Sequence, residues 1–362
     1  MTALSIVAHS HPFVVGVDTH ARNHAYAILD TTNGVLLDTQ EFPTTTAGIN
    51  RAIKWVARRT NADADTLWVI EGAASYGAIL AGTVATHGFP VAEAPRMDAK
   101  KNRGVGKTDA LDAHRMAIAA LPLPVERLRR PRVNEGIRQS LRILVTARES
   151  MSKDRTRSIN ALNALVRSND LGIDARKKLT PVQIEEVSRW REREEELALS
   201  IARAESVRLA KHILDLEGQL KTNEKRLDEL VKVSEAAPLL EEKGFQAVTA
   251  AKCLVAWSHE GRVHSEAAFA CLAGVNPIPA SSGNTVRHRL NRGGDRRLNS
   301  ALHMAAITRM TYDSETGEYV EKRRAEGKTD KEIRRCVKRY LARRVFRILN
   351  AEALAKKVQE AA

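Results

Sequence analysis

Four carboxylates stand at positions from which they could act together. Asp18 and Glu71 each end a short apolar run of residues. Asp109 and Asp112 lie three residues apart in a segment with the pattern of a helix start, and residues at that spacing share a helix face. If this helix crosses the ends of the two apolar runs, all four side chains converge.

The chemistry open to such a group is metal-dependent phosphoryl transfer. Converging carboxylates repel one another unless a cation compensates their charge. Mg²⁺ takes carboxylate oxygens and keeps water or phosphate oxygens as its other ligands. Two such ions about 3.5–4 Å apart stabilise the attacking and leaving oxygens of an in-line displacement. A single strand-end or first-turn acid has simpler explanations, such as a helix dipole contact, so the ordered set carries the prediction.

The elements that must position these residues alternate between strands and helices. Asn33-Gly34 separates two apolar runs, 24–30 and 35–42, and predicts a β-hairpin. The other predicted elements are strands at 13–18, 67–71 and 90–94 and helices at about 46–59 and 76–87. This order predicts an α/β domain with a mixed sheet and helices packed on it.

The middle of the chain, 134–233, has the spacing of long helices. A seam with alternating four-three spacing and one polar member runs through Leu209, Ile213, Leu216, Leu220, Asn223, Leu227 and Leu230. It fits a coiled coil between chains, in which Asn223 fixes register, and equally a helical hairpin within one chain. Thr180-Pro181 with Gln183 predicts a capping box and the start of the second helix, after a loop at 168–179.

The C-terminal part contains a Pro/Ser/Gly loop at 276–284, between predicted helices at 246–258 and 265–273 and an Arg-rich helix. Arginine holds phosphate through two parallel hydrogen bonds, so a Ser-Gly loop followed by arginines suits a phosphodiester backbone. Serine could act there as a nucleophile, although no activating base stands nearby in sequence, and a simple turn fits the same pattern. The candidate nucleic-acid-binding residues are Lys107, Arg287, Arg289, Arg292, Arg296 and Arg297.

The charge distribution indicates a polyanionic partner. The net charge is +14, yet residues 1–120 hold 11 basic and 11 acidic residues, so the whole excess lies in the rest of the chain. Nucleic acid is the default partner of such a surface. Residues 321–349, with 12 Lys or Arg and 4 Asp or Glu, form either a phosphate-tracking helix whose binding is salt-sensitive or a solvated helix face.

Composition argues against several other classes of protein. Cys253, Cys271 and Cys336 have neither zinc-site nor disulfide-framework spacing. His259, His264, His288 and His303 lack a metal-ligand pattern and are expected at the surface or in packing. No apolar window of about 18 residues and no leader-like start is present, so we expect a soluble, cytoplasmic protein without a membrane partner.

Three motifs resemble those of the DEDD transposases of bacterial insertion sequences, whose catalytic domain is similar to the junction resolvase RuvC. They are Val-Gly-Val-Asp18-Thr-His, Val-Ile-Glu71-Gly-Ala and Lys107-Thr-Asp109-Ala-Leu-Asp112-Ala. The resemblance implies an RNase H-like domain over 10–125, with Mg²⁺, or Mn²⁺ in its place, bound by the four carboxylates. A helical coiled-coil region over 130–235 and a mainly helical transposase domain over 236–355 would follow.

In the resembling transposases, the serine directly before the loop glycine forms a covalent phosphoserine link to DNA. That serine corresponds to Ser282, with Ser281 as a rival because the doublet leaves the alignment open by one. The segment 243–251 resembles the helix-hairpin-helix-like element of the family, but Gln246 replaces its second glycine. The family also implies a structured non-coding guide RNA, dimers that pair into tetramers and action at the bacterial nucleoid.

The sequence thus predicts a recombinase that excises and inserts an insertion sequence by cutting and rejoining DNA. One alternative is a RuvC-like nuclease that hydrolyses branched DNA with metal-activated water. The other is a non-catalytic RNA- or DNA-binding scaffold with structural carboxylates.

Overall fold

A computed structural model describes residues 5–95, 108–132, 135–281 and 288–361. The chain divides into two compact units: Met1–Glu135 with Trp257–Phe269, and Gly136–Ala256 with Ala270–Ala362. The helices are α1 (Val7–Ser10), α2 (Thr46–Arg59), α3 (Ala78–Thr86), α4 (Asp109–Ala120), α5 (Gly136–Ser168), α6 (Pro181–Ser188), α7 (Leu197–Lys232), α8 (Ala247–Trp257), α9 (Glu266–Leu272), α10 (Arg296–Tyr312), α11 (Ser314–Ala325) and α12 (Asp330–Ala361). The strands are β1 (Phe13–Thr19), β2 (Asn23–Asp30), β3 (Leu36–Pro43), β4 (Leu67–Ile70), β5 (Val91–Glu93), β6 (Ile278–Pro279) and β7 (His288–Arg289).

The first unit is built on a five-stranded mixed sheet in the order β3-β2-β1-β4-β5. The antiparallel strands β1, β2 and β3 come first, and β4 and β5 add in parallel beside β1. The predicted hairpin is confirmed, and Gly34 in its turn has a φ of +70°. This is the mixed α/β, RNase H-like arrangement that the motif order predicts.

Both faces of the central strands are covered, which explains why their sequences are apolar runs rather than alternating patterns. Val15 and Val17 point to the face packed by α2 and α3. Val14, on the other face, joins Met116 and Ala117 of α4. The sheet therefore holds α4 fixed across β1, the strand that carries Asp18.

Close contact between α4 and β1 depends on Gly16. A Cβ atom at this position would lie 2.0 Å from the carbonyl oxygen of Ala113 and 2.9 Å from the amide nitrogen of Ala117. Since both atoms belong to the backbone of α4, no side-chain movement relieves the clash. The absence of a side chain at residue 16 sets the distance between helix and sheet.

The second unit contains a long helical hairpin in which α5 packs against α7. Seam residues Ile213, Leu216 and Leu227 are buried within the single chain. Asn223 donates a hydrogen bond from Nδ2 to the carbonyl oxygen of Leu144 on α5, at 3.0 Å. The seam is thus covered without a second copy, in agreement with the intrachain hairpin interpretation.

The predicted start of the second long helix at Thr180 is only partly right. The capping box between Thr180 and Gln183 is present, with Pro181 in the first turn, but α6 ends at Ser188 and the long helix begins at Leu197. Trp190 lies in the charged segment between them, and the guanidinium carbon of Arg203, on α7, is 5.1 Å from the centre of its ring. Arg203 also forms a buried ion pair with Glu195, and these contacts favour a bend over a continuous helix.

The basic C-terminal segment forms two helices rather than one. Gly327, with a φ of +80°, follows α11, and α12 begins at Asp330. Among the described residues, no helix is long and apolar enough to span a membrane.

Replacing Gly16 with Ala is expected to lower the free energy of unfolding by about 3 kcal/mol or more, because overpacking against the backbone cannot relax. The matched control is Gly82→Ala in α3, where an added Cβ meets nothing within 4 Å. That change should stabilise the helix by about 0.5–1 kcal/mol. Urea unfolding of both variants measures the difference, and equal effects would contradict the proposed contact.

Candidate active site

Asp18, Glu71 and Asp112 line one cleft of about 350 Å³, together with Thr19, His20, Gly72, Ser75, Tyr76 and Met116. Val17 of β1 pairs in parallel with Ile70 of β4, so the residues that follow, Asp18 and Glu71, leave the sheet at the same edge. The carboxyl ends of parallel strands are the usual place for a ligand site in open α/β sheets. Three of the four predicted carboxylates thus line one cleft, and Asp109 lines a neighbouring cleft that shares His20.

Backbone contacts hold Glu71 beside Asp18. The amide of Glu71 donates to the carbonyl oxygen of Val17 at 3.0 Å. The hydroxyl of Thr19 donates to the carbonyl oxygen of Glu71 at 2.9 Å. Gly72 follows with a φ of +55°, which turns the chain sharply after the carboxylate. Glu71 therefore keeps its place without using its own carboxylate oxygens.

The Glu71 carboxyl group is difficult to ionise in this setting. Burial raises its pKa, and a hydrogen bond with Asp18 and the negative charges of Asp18 and Asp112 raise it further. Asp18 itself is only 6% exposed. Two carboxyl groups that line one cleft repel each other when both are ionised unless a cation is present, so this pair is a suitable place for a metal ion.

Asp109 and Asp112 sit in the first turn of α4, where the helix dipole favours negative charge. The hydroxyl of Thr108 caps this helix by accepting from the amide of Leu111 at 3.2 Å. Asp112 also receives a hydrogen bond from Nη1 of Arg115 at 2.9 Å. The cap fixes where α4 begins, and the dipole favours the two negative charges in its first turn.

His20 connects Asp18 with Asp109 and was missed by the sequence analysis. Its Nε2 atom lies 3.1 Å from Oδ2 of Asp18 and 3.5 Å from Oδ2 of Asp109. The hydrogen bond to Asp18 raises the pKa of His20. The available signal was its place two residues after Asp18, where the chain leaves the sheet on the same side.

The residues present suit a divalent cation. One ligand atom each from Asp18, His20 and Asp109 lies within 4.8 Å of the others, and Glu71 lines the same cleft as Asp18. Carboxylate oxygens are the ligands that Mg²⁺ and Mn²⁺ prefer, and an imidazole nitrogen favours the transition metal. The donor set therefore fits a metal-dependent phosphoryl-transfer site.

Two family models match the chain. A model described as Transposase, for DEDD transposases of the IS110 type, matches residues 15–169. A second, described as Transposase IS116/IS110/IS902 family, matches residues 236–321. The chain belongs to the IS110 family of DEDD transposases. No curated protein matches it significantly.

Membership assigns an activity to the chain. The first match contains all four carboxylates, and the second contains the loop with Ser281 and Ser282. The transposase is thus an enzyme that cleaves and rejoins DNA, and it binds DNA to do so.

The predicted nucleic-acid-binding residues differ in their surroundings. Arg289, Arg292 and Arg296 are exposed, and within the described part of the chain they have no ion-pair partner. Arg297 instead directs Nε to Oε2 of Glu149 at 2.6 Å and Nη1 to the hydroxyl of Thr146 at 3.0 Å. Its predicted role as a phosphate ligand competes with this internal ion pair. Lys107, Arg287 and Ser282 lie outside the described residues, and Ser281 is exposed.

Much of the positive charge in the basic C-terminal segment is paired within the chain. Arg324 contacts Asp330 and Glu321, and Arg344 contacts Glu242. These ion pairs leave less of the segment available for phosphate than its composition suggests.

At the helix-hairpin-helix-like element, 243–251, the backbone amide of Gln246 donates a hydrogen bond to the hydroxyl of Thr249 at 2.8 Å.

Replacing His20 with Ala should weaken Mn²⁺ binding by about 10-fold while changing Mg²⁺ binding much less, because Mn²⁺ gains more from a nitrogen ligand. Calorimetric titration of the DNA-free protein with each ion measures this. The control is His24→Ala, since His24 is buried behind the site and accepts from the amide of His20. Equal losses for both metals in His20→Ala would rule out ligation by His20.

Proposed function

We propose that this transposase excises and inserts its own insertion sequence with a composite site, in which the DEDD carboxylates hold Mg²⁺ or Mn²⁺ and Ser282 is the nucleophile. The metal site is supported by the cleft that Asp18, Glu71 and Asp112 line together. The role of Ser282 is supported by family membership and by the exposed arginines that follow the loop, Arg289, Arg292 and Arg296. The predicted segments 10–125, 130–235 and 236–355 would supply cleavage, helical linkage and DNA contact.

A bound metal would lower the pKa of an attacking hydroxyl and neutralise charge on the departing oxygen. The protein's own part is to hold ligands in place and bind the backbone. Asp18 and Glu71 are fixed at adjacent strand ends, and Asp109 with His20 closes one side of the site. Asp109 and Asp112 stand in the first turn of α4, where the positive end of the helix dipole favours negative charge.

The serine step needs a DNA phosphate held beside the hydroxyl. Arg289, Arg292 and Arg296 are exposed and have no ion-pair partner within the described ranges, so they could bind a phosphodiester on either side of the scissile bond. Attack by the Ser282 oxygen on phosphorus would release the 3′ or 5′ oxygen of the cut strand and leave a phosphoserine ester. A second DNA hydroxyl then displaces the serine and rejoins the strand.

The proposal includes a structured guide RNA and a homo-oligomer, from dimer to tetramer, acting on element ends and target DNA at the nucleoid. The net charge of +14 supports binding of nucleic acid. Because the α7 seam is buried within one chain, an oligomer would use other surfaces than this seam.

A second candidate is hydrolysis of branched DNA by the RuvC-like site alone. It is favoured by one observation: among the described residues, those that line the cleft all belong to the first unit. In that case, water would replace serine as the nucleophile.

The proposal predicts a covalent protein–DNA band on a denaturing gel when the transposase, labelled element-end DNA, element RNA and Mg²⁺ are mixed. Ser282→Ala should abolish the band because the attacking oxygen is removed, whereas Ser281→Ala should keep it. DNA cut without any band in the wild-type protein would favour hydrolysis.

Asp18→Asn should lower the rate of strand cleavage by at least about 100-fold, because it removes a metal ligand. Its stability should be unchanged or higher, since a repelling charge next to Glu71 is removed. Thermal unfolding and cleavage assays at several Mg²⁺ concentrations test this. Cleavage that is insensitive to both Mg²⁺ and Asp18→Asn would contradict the metal site.

A further inference from the structure

The two ends of the serine loop, defined as residues 276–292, meet in a narrow neck between α9 and α10. Helix α9 ends in a Schellman motif: Gly274 donates to the carbonyl of Cys271 and Val275 to that of Ala270, each at 2.9 Å. Gly274 has the required left-handed conformation, with a φ of +64°. The chain therefore enters the loop in a fixed direction.

Backbone contacts join the entering and leaving strands of this neck. The amide of Asp295 donates to the carbonyl oxygen of Leu272 at 2.6 Å. An added Cβ on Gly294 would lie 2.5 Å from the same oxygen, and one on Gly274 would lie 2.4 Å from the carbonyl oxygen of Gly293. The two strands approach too closely for side chains at these positions.

Two polar side chains from other helices complete the neck. Nδ2 of Asn299, on α10, donates to the carbonyl oxygen of Ala273 at 2.7 Å. Nζ of Lys338, on α12, donates to Oδ1 of Asn299 at 2.7 Å. Lys338 is only 8% exposed, and burial lowers its pKa. Among the described residues it has no carboxylate partner, and Asn299 is its hydrogen-bond acceptor.

A buried lysine without a carboxylate is costly, so its contribution must lie elsewhere than in stability. Lysine has donors and no acceptor, which forces the oxygen of the Asn299 amide toward Nζ. The amide nitrogen must then face Ala273. In this way Lys338, on α12, fixes the orientation of the Asn299 amide, which donates to the carbonyl oxygen of Ala273 just after α9.

We propose that Lys338 and Asn299 are positioning residues that hold the neck of the serine loop and thereby place the nucleophilic serine for attack. The proposal rests on the function proposed above for Ser282. It assigns no contact with DNA to either residue. Their effect is on the rate of attack once DNA is bound.

The test compares three variants of the full-length transposase: Lys338→Met, Asn299→Asp and the control Lys211→Met. Lys211 is an exposed lysine on α7. Lys338→Met keeps the side-chain length but removes the donor to Oδ1 of Asn299, so the Asn299 amide is free to flip. Asn299→Asp gives Lys338 an ionic partner and removes the donor to Ala273. The stability of the protein should therefore be kept, whereas the placement of the loop should be lost.

At saturating DNA, the rate of covalent adduct formation should fall by about 10- to 100-fold in Lys338→Met and Asn299→Asp, as expected for a misplaced nucleophile. The DNA dissociation constant should stay within about 2-fold of wild type, and Asn299→Asp should melt no lower than wild type. Lys211→Met should match wild type throughout. Wild-type rates in Asn299→Asp, or rate losses that simply follow melting temperature, would overturn the proposal.

Trypsin cleavage of the DNA-free protein gives a readout that does not depend on catalysis. Arg289 and Arg292 are exposed cleavage sites in the leaving strand. Both should be cut several times faster in Lys338→Met than in Lys211→Met, because the neck opens more often. If wild type forms no serine adduct, the function of Ser282 fails, while unchanged trypsin cleavage separately disproves the neck contact.

Discussion

Repulsion among like charges at the edge of the sheet governs the arrangement of the first unit. Asp18 and Glu71 leave neighbouring parallel strands side by side, and Asp112 adds a third negative charge to the same cleft. Three features of the surroundings reduce the repulsion among these carboxylates. Burial and the contact with Asp18 raise the pKa of Glu71, Arg115 pairs with Asp112, and His20 bridges Asp18 and Asp109. A divalent cation would replace all of these compensations at once.

The same constraint explains features that lie outside the cleft. The carboxylates of α4 reach the strand ends only because the helix crosses β1 at Gly16, where even a methyl group would strike the backbone of Ala113. The N-terminal end of α4, capped by Thr108, then favours negative charge next to the strand ends that carry Asp18 and Glu71. Stability of the fold and spacing of the ligands therefore depend on one contact between a helix and a strand.

In the second unit, some of the basic residues form ion pairs within the chain and others do not. Arg297, Arg324 and Arg344 each pair with an acidic residue of the same chain. Arg289, Arg292 and Arg296 are exposed and have no ion-pair partner among the described residues, so in the proposed function they would bind phosphate without first breaking an ion pair. Lys338 is the exception, since its charge is buried and directed at an amide, which suits a role in orientation rather than in DNA binding.

The sequence by itself determined the order of elements in the first unit, the hairpin at Asn33-Gly34 and the family, because these depend on local patterns and on motifs around Asp18, Glu71 and Asp109. It also predicted that four carboxylates converge, and three of them, Asp18, Glu71 and Asp112, line one cleft. Only the tertiary structure showed His20 between two aspartates, the internal pairing of Arg297 and the break before Leu197. These depend on partners 8 to 148 residues away in sequence, or on a side-chain direction, neither of which a local pattern encodes.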